Sequence, residues 1–122
     1  MILVDTSVWI DHFRAGNQTL IEFLDSGAVL VHPFVIGELA LGSLKQRALI
    51  LDAVANLPHA SVAADSEVLR FIDSFALFGR GIGYLDSHLL AAVRLTAGAE
   101  LWTHDKRLKE VAEQLGLAMA VR

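Results

Sequence analysis

The chain has 122 residues, a length that corresponds to a single domain over 1–122. Hydrophobic residues make up 54% of it and charged residues 20%, which excludes a disordered tail protein. The absence of cysteine excludes disulfide scaffolds, thiolate metal sites and cysteine nucleophiles. No apolar stretch reaches the ~18 residues that span a bilayer. Asp5 interrupts the apolar N-terminus, so we expect no secretory signal and a cytoplasmic globular domain.

The charges exclude a nucleic-acid binder that relies on a broad basic surface, because 14 Asp and Glu outnumber 10 Lys and Arg. If the four acids considered below were gathered around a metal ion, the remaining charges would balance. The acidic excess is therefore what a metal site on an otherwise even surface would give, although chance would give it too.

In the first half of the chain, apolar runs alternate with segments of helical periodicity. Pro33 is typical of a first helical residue, and Gly42 and Pro58 are typical of the positions just after helices. The elements that we predict here are strands at 1–4 and 28–31 and helices at 6–13, 17–25, 33–41 and 44–55.

The second half continues the alternation and contains the only glycine cluster, 79–83, which we interpret as a loop. The predicted elements are strands at 60–63 (weak), 100–103 and 117–121, and helices at 65–75, 85–97 and 108–115. Short apolar strands that alternate with helices indicate an α/β fold, in which a parallel sheet is covered by helices on both faces.

Acidic side chains stand at the ends of two predicted strands. Asp5 follows the first strand and Asp105 follows the strand at 100–103. Ligands of open parallel sheets bind outside the carboxyl ends of the strands, so we expect both side chains at that edge. An Asp between a strand and a helix is also a common N-cap, and that structural role is an equally good interpretation of each one alone.

Two further acids interrupt apolar helix faces. Glu38 has Phe34 and Leu41 as its helical neighbours, and Asp86 shares a stripe with Leu89 and other apolar residues. A buried carboxylate costs several kcal/mol unless it is paired or binds metal. The structural alternatives are that Glu38 reaches water at the helix rim and that Asp86 stabilises the helix dipole.

Taken together, the four acids predict a cation site. Converging carboxylates repel one another unless a cation offsets their charge. Oxygen ligands without cysteine suit a hard divalent ion, Mg²⁺ or Mn²⁺. Such an ion lowers the pKa of a bound water and stabilises the charge that develops in phosphodiester cleavage.

The stretches around these acids resemble those of PIN-domain ribonucleases of the VapC-like toxin kind. The matching segments appear in the family's order over essentially the whole chain, and they are Ile2-Leu-Val-Asp5-Thr-Ser-Val-Trp-Ile10, Gly37-Glu38-Leu39, Leu85-Asp86-Ser-His-Leu-Leu-Ala-Ala92 and Trp102-Thr-His-Asp105-Lys-Arg-Leu108.

The resemblance implies a three-layer α/β/α fold with a five-stranded parallel sheet in the order 3-2-1-4-5. It implies a Mg²⁺-dependent endoribonuclease that acts on tRNA or rRNA, a partner antitoxin and a homodimer. The residues that match the family's acidic quartet, as metal ligands and catalytic groups, are Asp5, Glu38, Asp86 and Asp105. Thr6 and Thr103 match hydroxyl positions that orient the acids.

Other polar residues allow two interpretations. Basic side chains near the predicted site could grip RNA phosphates or simply be solvated, and these are Arg14, Arg80, Lys106 and Arg107. The five histidines show no zinc-binding spacing. Only His104 adjoins a site acid, and its side chain could point away from Asp105.

Three alternatives to the toxin remain at this point. A PIN ribonuclease of RNA processing would carry the same acids. A phosphoacceptor receiver domain would need adjacent acids after the first strand, where Thr6 and Ser7 stand instead, and Asp52 falls in a helical pattern. A phosphatase with an Asp nucleophile would need a second Asp in place of Ser7.

Overall fold

The computed structural model describes residues 1–120 of the chain. These residues form three strands and seven helices. The strands are β1 (Ile2–Val4), β2 (Val29–Leu30) and β3 (Glu100–Trp102). The helices are α1 (Thr6–Ala15), α2 (Gln18–Asp25), α3 (Pro33–Leu41), α4 (Arg47–Ala55), α5 (Asp65–Ser74), α6 (Tyr84–Leu95) and α7 (Lys106–Gln114).

The sheet is parallel and has β1 at its centre, in the order β2-β1-β3. Leu3 of β1 pairs with Leu30 on one side and Leu101 on the other. All residues of β1 are buried, because the strand is bordered by strands on both edges and packs into the core. The predicted α/β class and parallel sheet are confirmed.

The predicted number of five strands is wrong for the described residues, in which the sheet has three. Single bridges stand where the two outer strands were expected: Val31 pairs with His59, and Leu101 pairs with Ala118. The pairing stops at the first bridge because the next hydrogen bond of the ladder would need an N–H from Pro33, which has none and begins α3. Position 121 of the last predicted strand lies outside the described residues.

The predicted helices are present, with shifted ends. Asn17 caps α2, its side chain accepting a hydrogen bond from the N–H of Leu20 at 3.0 Å. Helix α4 begins at Arg47 rather than at 44, because Gln46 has a left-handed φ of 53° that no helix continues through. Helix α6 ends at Leu95, two residues before the predicted end.

The helices divide into two packing groups around the sheet. Helix α3 packs chiefly against α1 and α4, whereas α6 packs chiefly against α5 and β3. The buried residues of both groups belong to one hydrophobic core. Within residues 1–120, no helix combines the length and apolarity that crossing a membrane requires.

Candidate active site

The carboxyl ends of the three strands bring polar residues to one edge of the sheet. Asp5 follows β1, His32 comes just after β2, and Thr103 follows β3. Because the strands are parallel and in register, these ends are adjacent. This edge is where the sequence predicted the site.

Asp5 is held by hydroxyl groups and not by the helix that follows it. It occupies the N-cap position of α1, yet its side chain makes no capping hydrogen bond. Instead its Oδ2 accepts from Ser7 Oγ at 2.7 Å and from Thr103 Oγ1 at 2.8 Å. The residue is only 6% exposed. The capping interpretation of Asp5 is therefore wrong, and its Oδ1 is left for another ligand.

Ser7 is a site residue that the sequence analysis did not assign. Besides donating to Asp5, its Oγ accepts from the N–H of His104 at 3.0 Å, which links α1 to the segment after β3. The signal was present in the sequence as a hydroxyl two residues after a strand-ending Asp. Thr103 was predicted to orient the acids, and its contact with Asp5 places it to do so.

Asp105 does cap its helix. Its Oδ1 accepts from the N–H of Leu108 at 2.9 Å at the start of α7, and its own N–H donates to Thr103 Oγ1 at 3.0 Å. The side chain is exposed. Asp105 therefore both caps α7 and lies beside Asp5. The Thr103 hydroxyl contacts both aspartates.

Asp86 lies in the first turn of α6, and its Oδ2 accepts from the N–H of the N-cap residue Gly83 at 2.9 Å. Burial raises the pKa of this carboxyl above its usual value, and the charges of Asp5 and Asp105 raise it further, while the Gly83 hydrogen bond opposes the rise. The three aspartates therefore lie within reach of one another's charge, and a cation among them would relieve the repulsion.

Glu38 departs from the prediction. It is exposed on α3 rather than buried on an apolar face, and its Oε1 accepts from Thr6 Oγ1 at 2.9 Å. The burial argument failed because α3 is apolar nearly all round, to the extent that Leu41 is 90% exposed. The hydrogen bond nevertheless ties Glu38 to the residue that follows Asp5, so Thr6 makes the contact expected of an orienting hydroxyl.

The predicted RNA-binding residues fall into two groups. Lys106 and Arg107 lie in the first turn of α7, directly after Asp105. Arg107 lies against Gly81 of the glycine loop, where an added Cβ would come within 2.7 Å of its guanidinium. Arg80 instead donates to Gln114 at the other end of α7, at 2.7 Å, and Arg14 lies at the end of α1 opposite Asp5.

His104 points away from the acids toward α1. Its Nδ1 lies 2.6 Å from Asp11 Oδ2, so it forms a histidine–carboxylate pair at the border of the site. The sequence analysis did not detect this pairing, because its partners are separated by 93 residues. The buried histidines are His32 and His88.

The donor set suits a hard divalent cation, because it consists of carboxylates and hydroxyls without thiolates. Asp5 Oδ1 accepts no hydrogen bond within residues 1–120, and the mutual repulsion at Asp86 favours a positive charge. As the side chains stand, no three acidic or histidine groups in that range are close enough to enclose an ion. The chemistry of these donors therefore fits the ion, whereas their present spacing does not enclose one.

Comparison with known proteins matches this arrangement to one family. The family model for the PIN domain matches residues 2–114. The chain is 52% identical over 120 residues to Ribonuclease VapC32 of Mycobacterium tuberculosis (strain CDC 1551 / Oshkosh), an alignment that covers 98% of this chain and 97% of the relative. Ribonuclease VapC32 of strain ATCC 25618 / H37Rv gives the same identity and coverage.

Proposed function

The chain belongs to the PIN-domain family, and from that premise we propose that it is a metal-dependent endoribonuclease. The observation that carries the proposal is the cluster at the carboxyl edge of the parallel sheet, where Thr103 contacts both Asp5 and Asp105 and the charges of these two acids raise the pKa of Asp86. The relative named Ribonuclease VapC32 aligns across the whole of this arrangement.

In the proposed reaction, the residues that hold Mg²⁺ or Mn²⁺ are Asp5, Glu38, Asp86 and Asp105. A bound divalent ion supplies a water of lowered pKa and stabilises negative charge on the phosphate under attack. Ser7 and Thr103 hold Oδ2 of Asp5, so that its Oδ1 is kept for the ion. Thr6 holds Glu38 near the end of β1.

Lys106 and Arg107 are the basic residues placed to bind RNA phosphates beside the acids. Their position at the N-terminus of α7, where backbone N–H groups also favour anions, suits a substrate phosphate. The locations of Arg14 and Arg80, at the far ends of α1 and α7, make them less suited to a phosphate at the acids.

The test is cleavage of RNA by the purified chain. We expect cleavage with Mg²⁺ or Mn²⁺, none after chelation, and none by Asp86→Asn, which removes one ligand charge without changing side-chain shape. Internal cuts in a circular RNA distinguish an endonuclease from an exonuclease. Cleavage that persists in excess chelator, or that Asp86→Asn retains in full, would reject the proposal.

We also propose that the chain is the toxin of a toxin–antitoxin pair. An apolar groove of about 670 Å³ runs between α1 and the α4 region and suits a partner helix. Its lining includes Ile10, Phe13, Leu44 and Ile50, with Arg14 and Lys45 among the polar positions. A second apolar groove adjoins it and shares Phe13 and Ile50.

Expression in a bacterial host tests the toxin role. We expect growth arrest from the chain alone and rescue when the neighbouring gene is co-expressed. Ile50→Lys should keep ribonuclease activity and escape rescue, whereas Leu69→Lys, the same new side chain at an exposed position of α5 outside the groove, should be rescued normally. Harmless expression of a chain that cuts RNA efficiently would favour a role in RNA processing instead.

We further propose a homodimer, for which exposed apolar side chains provide surface: Leu41 is 90% exposed and Phe78 is 67% exposed. Analytical ultracentrifugation of the purified chain measures this directly. A monomer at all concentrations would reject it.

A further inference from the structure

Two buried histidines form a polar junction that the proposed reaction does not use. His32 is 0% exposed and His88 is 2% exposed. Their ring centroids lie 6.3 Å apart, with an angle of 63° between the ring planes. Each ring has one buried nitrogen without a hydrogen-bond partner in residues 1–120: Nε2 of His32 and Nδ1 of His88. Buried polar atoms are almost always hydrogen-bonded, so this pair of atoms calls for an explanation.

The proton positions of the two rings follow from their other contacts. Nδ1 of His32 accepts from the N–H of Phe34 at 3.1 Å, so it carries no proton, and the proton of the neutral ring is on Nε2. Burial, with smaller contributions from His88 and His59, lowers the pKa of His32 to about 4, which keeps the ring neutral at pH 7.

His88 has the complementary arrangement. Its Nε2 lies 3.0 Å from Oδ1 of Asp65, and a carboxylate can only accept, so that nitrogen carries the proton. Tyr84 donates to the same oxygen at 2.9 Å. Nδ1 of His88 has no hydrogen-bond partner within residues 1–120, like Nε2 of the neighbouring His32 ring. The two nitrogens do not bond each other directly, but a single buried water can bond to both.

The junction joins two helices that otherwise belong to different packing groups. His32 caps the N-terminus of α3, the helix of Glu38, whereas His88 lies two residues after Asp86 on α6. Phe34 of α3 packs edge-on against His88 with centroids 4.7 Å apart. Phe34 lies one helical turn before Glu38, and His88 lies two residues after Asp86, so this ring contact joins α3 to α6 beside both acids.

We propose that His32 and His88 are positioning residues that set Glu38 relative to Asp86 through a shared buried water. Neither ring needs to touch substrate or metal. The proposal rests on the proposed function of the two acids, because it concerns how far apart they are held. This role accounts for two buried polar rings, which packing alone would not require.

The variants separate positioning from folding. His32→Asn keeps a side chain that caps helices well and removes Nε2–H. His88→Phe keeps the aromatic contacts with Phe34 and Tyr84 and removes both nitrogens. His59→Gln is the matched control, because His59 also acts on His32 electrostatically but is exposed and does not join the ring contact.

In RNA cleavage, we expect His32→Asn and His88→Phe to lower kcat by about tenfold or more, the usual loss when a group that orients a metal ligand is removed. The KM for RNA should change less than about threefold, because phosphate contacts are untouched. His59→Gln should behave as the parent. In an E38Q background, His32→Asn should cause little further loss, because its partner has already been removed. An equal loss with and without Glu38 would overturn the proposal.

Two measurements do not depend on turnover. Titration with Mn²⁺ should show weaker binding for His32→Asn in the parent background and no further weakening in E38Q. Nitrogen-15 NMR of the metal-free protein should show a proton on Nε2 of both rings, and a contact between the His32 ring proton and a bound water. A proton on Nδ1 of His32 would overturn the junction. If the parent cuts no RNA, the proposed function fails, and these two measurements still decide the junction.

Discussion

The N-termini of α1 and α7 look alike in sequence and differ in structure. Each follows a strand of the sheet and begins with an Asp. Asp105 caps α7 through the N–H of Leu108, whereas Asp5 leaves its helix uncapped and accepts from Ser7 and Thr103 instead. The buried Asp5 side chain does not cap its helix, so its hydrogen bonds orient it for another ligand. The comparison teaches that the donors to an Asp, and not its place between strand and helix, distinguish a ligand from a cap.

Asp5→Asn should give the largest effect. The amide oxygen can still accept from both hydroxyls, but the charge that a metal needs is gone. We expect cleavage to fall by about 10²–10³-fold, as when one key electrostatic group is lost. The melting temperature without metal should stay equal or rise, because Asp86 loses a repulsive neighbour. Cleavage assays and differential scanning fluorimetry measure the two quantities. A large drop in melting temperature would return Asp5 to a structural role.

Changes at Asp105 should separate its two roles. Asp105→Ala loses the cap and should destabilise the fold by about 1 kcal/mol, whereas Asp105→Asn caps almost as well and should not. Both should lower activity, by about tenfold. Urea unfolding of the two variants measures the difference in unfolding free energy. Equal stability would mean that the α7 cap contributes nothing, and the contrast with α1 would disappear.

Gly81→Ala tests the basic side of the α7 terminus. The new methyl would meet the Arg107 guanidinium at 2.7 Å. Gly79→Ala is the matched control, since its φ of +72° is as strained as the +79° of Gly81, but nothing lies within 4 Å. Both variants should lose about 1–2 kcal/mol from backbone strain.

Only Gly81→Ala should weaken RNA binding, with the slope of log affinity against log salt falling by about one, the signature of one lost phosphate contact. Fluorescence anisotropy at several salt concentrations measures this slope. The same slope in both variants would remove Arg107 from the substrate site.

The smallest effect concerns Asp86, the third acid at a helix start. The folded protein holds the Asp86 proton more tightly than the unfolded chain, because burial and its neighbours raise the pKa above the usual 3.8. The contribution of protonated Asp86 to folding stability is therefore complete below pH 3.8 and is lost as pH rises through the raised pKa. Without metal at pH 7, Asp86→Asn should melt at a higher temperature than the parent.

That difference should shrink toward pH 4 and when Mg²⁺ is added. Thermal melts across pH with and without chelator check it. Asp52→Asn, an exposed acid on α4, is the control and should show no such dependence. A stabilisation by Asp86→Asn that is constant across pH would show that repulsion among the acids is not its cause.

The local features of the fold could be predicted from the sequence where one residue decides them. Asn17 at the start of α2 and Pro33 at the start of α3 are examples, because capping and a fixed φ act within a few residues. The extent of the outer strands could not be predicted, since pairing partners such as Val31 and His59 are distant in sequence and the ladder ends where Pro33 offers no N–H.

The site follows the same rule. The sheet edge where Asp5 and Asp105 stand could be predicted, because parallel strands bring their ends together. The exposure of Glu38 could not be predicted. Helix α3 is apolar on nearly every side, so its sequence does not show which side faces the core. The pairs Asp11–His104 and Asp65–His88 join residues that are distant in the chain, so no local sequence pattern predicts them.

The hydrogen bond between Asp5 and Thr103 spans 98 residues, so the first acid of the chain acquires its hydroxyl partner almost last. Strand β1 likewise waits for β3 before it becomes the centre of a sheet. Assembly of this sheet edge therefore depends on a segment that is synthesised 98 residues after Asp5, so the orientation of the first acid is a property of the closed fold and not of its own segment.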